Sequence, residues 1–139
     1  MFDYEGSGAA TPAGDLETEL DAALTADWAG HAKAIVIEPE LDVWMWGAET
    51  HIREVIGWRG PSGIREWLVA RQFVFDAHNK PERPKEAMEE VFRHSQVPRS
   101  SAHYQALAGR LSLTRCQDPA FLRLRGAMTA WFAPQAIGG

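Results

Sequence analysis

The hydrophobic and polar positions of this chain change period several times, and each change marks an element. Residues two apart in a strand point the same way, so Phe2–Glu5 reads as a strand that presents Asp3 and Glu5 together. The loop formers Gly6 to Gly14 follow, and Asp15 then reads as the N-cap of a helix to about Trp28. In that helix Leu16, Leu20, Ala23, Leu24 and Trp28 repeat at helical spacing, with Glu17, Glu19 and Asp21 outward. Gly30 stops the helix, and Ala32–Ile37 forms a β-branched strand that Pro39 ends. Strand, helix and strand with a connection of this length predict a right-handed βαβ unit with parallel strands.

Helical patterns dominate from Leu41 onward. Leu41–Gly47 and Thr50–Trp58 read as short helical segments, and Pro61-Ser-Gly63 opens a helix to about Arg71. Asp76–Lys85 is a polar loop, after which Pro84 stands as a first-turn proline. The spacing then predicts a helix over Glu86–Ser95 that buries Ala87, Met88, Val91 and Phe92. Ser100 or Ser101 caps a helix through Leu113. Asp118-Pro119 opens a last helix with Phe121, Leu124, Met128 and Trp131 on one face. The expected fold class is α/β: a short parallel sheet from the N-terminal βαβ unit, followed by a mostly helical C-terminal half. Two strands do not make a stable sheet alone, so a third is expected from Gln72–Phe75 or from a partner.

With 139 residues, 45% hydrophobic and 24% charged, the chain reads as one globular domain, the βαβ unit and acidic motif in 1–47 and the helical part in 48–139. No apolar run approaches the ~20 residues of a membrane span, and no secretory signal opens the chain, so the expected location is the cytoplasm. Cys116 is the single cysteine, which excludes an internal disulfide and a cysteine-built zinc site. The net charge of −5 is unevenly spread. Residues 1–64 carry three basic and twelve acidic side chains, a balance of −9; residues 65–139 carry eleven and seven, a balance of +4. An acidic half suits a metal ion, and a basic half suits phosphate or an acidic partner; the other reading makes both ordinary solvated helix faces.

Candidate chemistry centres on Ile35-Val-Ile-Glu-Pro-Glu-Leu-Asp-Val-Trp-Met-Trp46, where an apolar strand stops in three acids, Glu38, Glu40 and Asp42. The carboxyl ends of parallel strands are where α/β folds place ligands. Two acidic pairs at neighbouring strand ends, Asp3 with Glu5 and Glu40 with Asp42, are a common way to hold a hard divalent cation; the other reading makes them helix caps and solvated rim charges. Lys80, Arg83 and Lys85, in a proline-stiffened loop, form a candidate phosphate clamp; the other reading is a merely solvated basic loop. The five histidines show no paired metal spacing. Most of the six tryptophans are expected in the core, with one or two available to stack on bases. No Walker loop, dinucleotide fingerprint or nucleophile elbow is present.

Asp-x-Glu-Gly near the start, Pro-Glu-Leu-Asp-x-Trp, Lys-Pro-x-x-Pro-Lys-Glu-Ala, Arg-Ser-Ser and Cys-x-Asp-Pro-Ala-Phe together resemble a bacterial family of largely uncharacterised proteins. One branch of that family belongs to methylation-associated phage-defence gene clusters. More distantly the pattern resembles the Toprim-like domains of topoisomerases, primases and overcoming-lysogenisation-defect nucleases, which bind magnesium for phosphodiester chemistry. By motif, Asp3 and Glu5 match the Asp-x-Asp pair with Glu in second place, and Glu40 and Asp42 match the acidic motif after the next strand. The resemblance implies Mg2+ held by Asp3, Glu5 and Glu40, a catalytic role for Glu40 and Asp42, and a nuclease-type component of an antiviral system. The Toprim glutamate on a preceding strand would lie upstream of Met1, which suggests a fragment of a longer protein or a shortened member. The alternative is a non-catalytic interaction subunit of a defence complex. Expected partners are nucleic acid, other subunits or a second copy of the chain, and no membrane.

Overall fold

The computed structural model describes residues 1–132, which form a short parallel sheet at the N-terminus and a mostly helical remainder. They fall into two compact units: Met1–Glu38 with the segment from Cys116 onward, and Pro39–Arg115. The boundary lies at Glu38–Pro39 rather than after Gly47, and the last helix belongs with the βαβ unit. Among the described residues no helix is long and apolar enough to cross a membrane.

In the first unit β1 (Phe2–Asp3) pairs in parallel with β2 (Val36–Ile37), in the register Phe2 opposite Val36 and Asp3 opposite Ile37. The Phe2 N–H donates to the Ile35 carbonyl at 3.1 Å and the Tyr4 N–H to the Ile37 carbonyl at 2.8 Å. Both strands are shorter than predicted. After Tyr4 the chain turns, the Ser7 N–H returning to the Tyr4 carbonyl and Gly6 adopting φ +80. Glu5 therefore lies outside the strand, and the alternation that would align it with Asp3 does not extend that far. The connecting helix α1 (Ala13–Trp28) begins two residues before Asp15, which sits in the first turn, where a negative charge suits the helix dipole. It ends at Trp28 as predicted, with Ala29 rather than Gly30 taking the left-handed cap position.

Among the described residues the outer edge of β2 is closed without a third strand. The Ala34 N–H donates to Asp21 Oδ1 at 2.6 Å and the Val36 N–H to Glu17 Oε2 at 2.8 Å. Residues four apart on a helix are ~6 Å apart along its axis, close to the ~6.6 Å between alternate strand residues. The two carboxylates thus match the spacing of the two unpaired N–H groups. Arg123, from α6 (Pro119–Phe132), donates to the Val36 carbonyl at 3.1 Å and pairs with Glu17 at 2.7 Å. Asp21 also pairs with Lys33. Glu17 is 7% exposed, so the prediction that Glu17 and Asp21 point outward is wrong. They face the strand.

Asp118 caps α6 as predicted, its Oδ1 accepting the Ala120 and Phe121 N–H groups at 3.0 and 3.1 Å. The predicted apolar face of α6 is partly covered, at Phe121 and Leu124. Met128 and Trp131 are exposed, and Ala120 is the one buried residue of α6 among those described.

The second unit contains a 3₁₀ helix (Leu41–Gly47), α2 (Glu49–Ile56), α3 (Ile64–Val69), α4 (Pro84–His94) and α5 (Ser101–Ala108). Pro84 starts α4, and the predicted Ala87, Met88, Val91 and Phe92 are all buried. They pack with Ile52, Ile64, Leu68 and Leu107 into the core. Trp46 joins this core and is held in place, its Nε1 donating to the Pro84 carbonyl at 3.0 Å. Trp58 folds back over the following turn, its Nε1 donating to the Ser62 carbonyl at 2.9 Å. Its ring lies so close to Gly60 that an added Cβ would stand 2.1 Å from it. Ser100 is the N-cap of α5, as one of the two predicted serines. That helix stops at Ala108 rather than Leu113, because Gly109 is a poor helix former and the next amides close tighter turns. Gln72–Phe75 does not extend the parallel sheet. It pairs with its own downstream loop instead: Phe75 bridges Pro81 in antiparallel fashion, with Asp76 N–H to Lys80 O and Glu82 N–H to Val74 O on either side.

Candidate functional site

Glu40 precedes the 3₁₀ helix in an extended conformation and is half-buried. Its Oε1 accepts the Lys85 N–H at 2.9 Å, satisfying one of the orphan donors of the first turn of α4. Burial pushes the carboxyl above the ordinary glutamate range, opposed by the Lys85 N–H and reinforced by the charges of Asp42 and Glu86.

Asp42 accepts the Tyr104 hydroxyl at 3.1 Å, and Arg99 Nη2 stands 4.0 Å from the same oxygen. Arg99 in turn pairs with Glu89 at 2.7 Å and lies over the Tyr104 ring, 5.1 Å from its centroid. Burial first, and then the Asp42 charge, pushes the Tyr104 phenol up to about 12. These groups line a cavity of 490 Å3 with Ser100 and Ser101. Ser100 Oγ lies 2.7 Å from His103 Nδ1 and accepts the His103 N–H, which is a helix-capping arrangement.

Asp3 is half-buried in β1 and Glu5 is exposed beyond it, both in the first unit, while Glu40 and Asp42 belong to the second. Among the described residues no group of three or more His, Cys, Asp or Glu side chains is placed to hold a metal ion.

The loop of Lys80, Arg83 and Lys85 is braced from beneath. Pro81 and Pro84 are fully buried, so the prolines anchor it to the core. Asp76 Oδ1 accepts the N–H groups of His78 and Lys80, each at 2.8 Å, and Asn79 takes φ 61 in the turn between. Arg83 is exposed and its guanidinium lies 5.0 Å from the Phe73 centroid; Lys85 is exposed in the first turn of α4.

A second cavity, of 340 Å3, is anticipated only by the expectation that one or two tryptophans are available to stack on bases. It is lined by residues that include Trp46, Glu49, Arg65, Phe75, His78 and Asn79. Trp46 meets Phe75 edge to face, centroids 6.2 Å apart, and the Arg65 guanidinium lies 5.5 Å from the Phe75 centroid. The Glu49 oxygens accept the Ile64 and Arg65 N–H groups at 2.7 and 3.1 Å, capping α3 from a distance. The signal for it in the sequence is the Phe-x-Phe of residues 73–75 leading into a basic loop, a pattern that by itself suggests only a strand.

No known protein family, curated protein or solved structure matches the chain.

Proposed function

We propose that this chain is a non-catalytic, nucleic-acid-contacting subunit of a bacterial antiviral complex. The observation that carries the reading is the seating of Arg83 and Arg65 over Phe73 and Phe75, beside Lys80 in the loop and Lys85 in the first turn of α4. A guanidinium held against a ring loses less freedom on meeting a phosphate, and aromatic rings interleaved with cations suit single-stranded nucleic acid. Glu40 and Asp42 support the non-catalytic part, since each carboxylate already serves the fold, on the Lys85 N–H and the Tyr104 hydroxyl. The antiviral setting rests on the motif resemblance.

Fluorescence anisotropy with labelled single-stranded DNA, single-stranded RNA and duplex DNA tests this. The expected result is binding to a single strand that weakens with salt. Arg83→Glu or Lys85→Glu should reduce the log–log salt slope by about 0.7 for each phosphate no longer neutralised. No binding at about 50 mM salt, where phosphate attraction is strong, would remove the reading.

A second reading, Toprim-like magnesium-dependent nuclease chemistry, is favoured by one observation: the parallel βαβ unit carries Asp3 in β1. Melting with and without millimolar Mg2+, on wild type and Asp3→Ala, separates the two. A metal-induced stabilisation of wild type that Asp3→Ala loses supports the enzyme.

A further inference from the structure

We infer that the 340 Å3 cavity beside Trp46 and Phe75 binds one unpaired nucleobase of a single strand together with its phosphate. The inference rests on the nucleic-acid reading above and assigns it a site. Ligand cavities run from ~300 to ~1,000 Å3, so this one takes a single ring system with a small appendage. Its aromatic wall is rigid. Trp46 is 7% exposed and fixed through Nε1 to the Pro84 carbonyl, and its ring holds Phe75 edge to face. A wall that does not have to be ordered on binding costs little entropy, which is what a stacking platform needs.

The polar lining suits an anion attached to that ring. The Arg65 guanidinium is exposed above Phe75, and no carboxylate of the described residues lies within ion-pair distance of it. His78 and Asn79 close the rim from a turn that the Asp76 carboxylate holds in shape. One acid, Glu49, also lines the cavity, but both its oxygens are drawn to the N–H groups that open α3. A carboxylate fixed this way repels a phosphate less than a free one and can still accept a hydrogen bond from an exocyclic amine. The cavity therefore favours the bases that carry an exocyclic amine, adenine, cytosine and guanine, over thymine or uracil.

The test uses the full chain and a fluorescein-labelled oligo-dA, displaced by AMP or by ribose 5-phosphate. AMP is expected to displace the strand at a concentration at which ribose 5-phosphate does not, because the ring supplies the stacking. Phe75→Leu and Arg65→Ala are each expected to weaken both oligo-dA and AMP by about tenfold, the scale of one base stack. Arg65 is exposed, so Arg65→Ala keeps the test intact if Phe75→Leu disturbs packing, which thermal melting reports. Equal displacement by ribose 5-phosphate overturns the base pocket, as does oligo-dA binding that both variants leave unchanged. If Arg83→Glu still weakens the strand in that case, the basic loop binds nucleic acid and only the pocket has failed. If AMP binds and responds to Arg65→Ala while no strand binds, the pocket stands and the polymer reading falls.

Discussion

Glu17 and Arg123, 106 residues apart, close an ion pair that satisfies both hydrogen-bonding groups of Val36 facing away from β1. The pair does for β2 what a neighbouring strand would do. Arg123→Ala removes the donor to the Val36 carbonyl and leaves a buried carboxylate without its cation. Arg123 is 40% exposed, so water screens part of the loss, and the expected cost is about 1–2 kcal/mol. Glu17→Ala strands the Val36 N–H as well and should cost about 2–3 kcal/mol. Chemical denaturation of both single variants and the double variant measures the coupling. Fully additive effects would show that the two residues do not act together.

At Glu40, two substitutions separate a helix cap from a metal ligand. Glu40→Gln keeps an oxygen for the Lys85 N–H and removes repulsion from Asp42 and Glu86, so at neutral pH it should be neutral or slightly stabilising. Glu40→Ala removes the acceptor and should cost about 1 kcal/mol, as helix caps do. The pH dependence follows from the raised carboxyl. The folded state holds the Glu40 proton to higher pH than the unfolded chain, so its contribution is intact below 4.5 and declines as pH rises through the folded value. Glu40→Gln should remove that decline, as melts across the acid range would record.

Tyr104 offers an optical readout of its hydrogen bond to Asp42. Its phenol is held protonated to about 12 against an ordinary 10.0, so stability is undiminished below pH 10 and is lost as pH rises toward 12. Phenolate absorbance in an alkaline titration should show one tyrosine ionising late. Asp42→Asn, which keeps the shape and removes the charge, should bring that ionisation down, though not to the ordinary value, because burial is the larger cause. An unchanged titration would mean that Asp42 does not reach the phenol in solution.

Gly60 is the position where the smallest addition has the largest expected effect in the turn. A Cβ there would lie 2.1 Å from the Trp58 ring, so the indole must leave both its site and the Ser62 carbonyl. Gly60→Ala should destabilise by about 1–3 kcal/mol, in the range of overpacked cores. Tryptophan emission should shift as Trp58 becomes wetter. Gly126, where nothing lies within 4 Å of an added Cβ, is the control.

Local signals in the sequence are enough for some elements. Pro84 sets the start of α4, and four apolar positions at helical spacing identify the residues it buries. The parallel pairing of β1 with β2 follows from the length of the connection. What escapes depends on distant partners. Nothing near Glu17 indicates that Arg123 will reach it, and acids on a helix ordinarily face water. Glu40 and Asp42 stand out as an unusual acidic pair, but their partners lie 45 and 62 residues away, at Lys85 and Tyr104. The sequence presents such carboxylates as candidate ligands and does not show the distant donors that each also accepts. Gly109 is a visible stop for α5, masked by the apolar residues beyond it.

The edge of β2 also sets an order of assembly during synthesis. Val36 and Arg123 are 87 residues apart, so at about 5–20 residues per second the strand waits roughly 4–17 s for its last partner. Pro39–Arg115, which forms the second unit from one continuous stretch, is complete before Arg123 is made. During that interval the Val36 carbonyl has only water, or another nascent chain, to bind, and unpaired strand edges are where chains associate wrongly. A ribosome that stalls before α6 would hold the chain in that adhesive form.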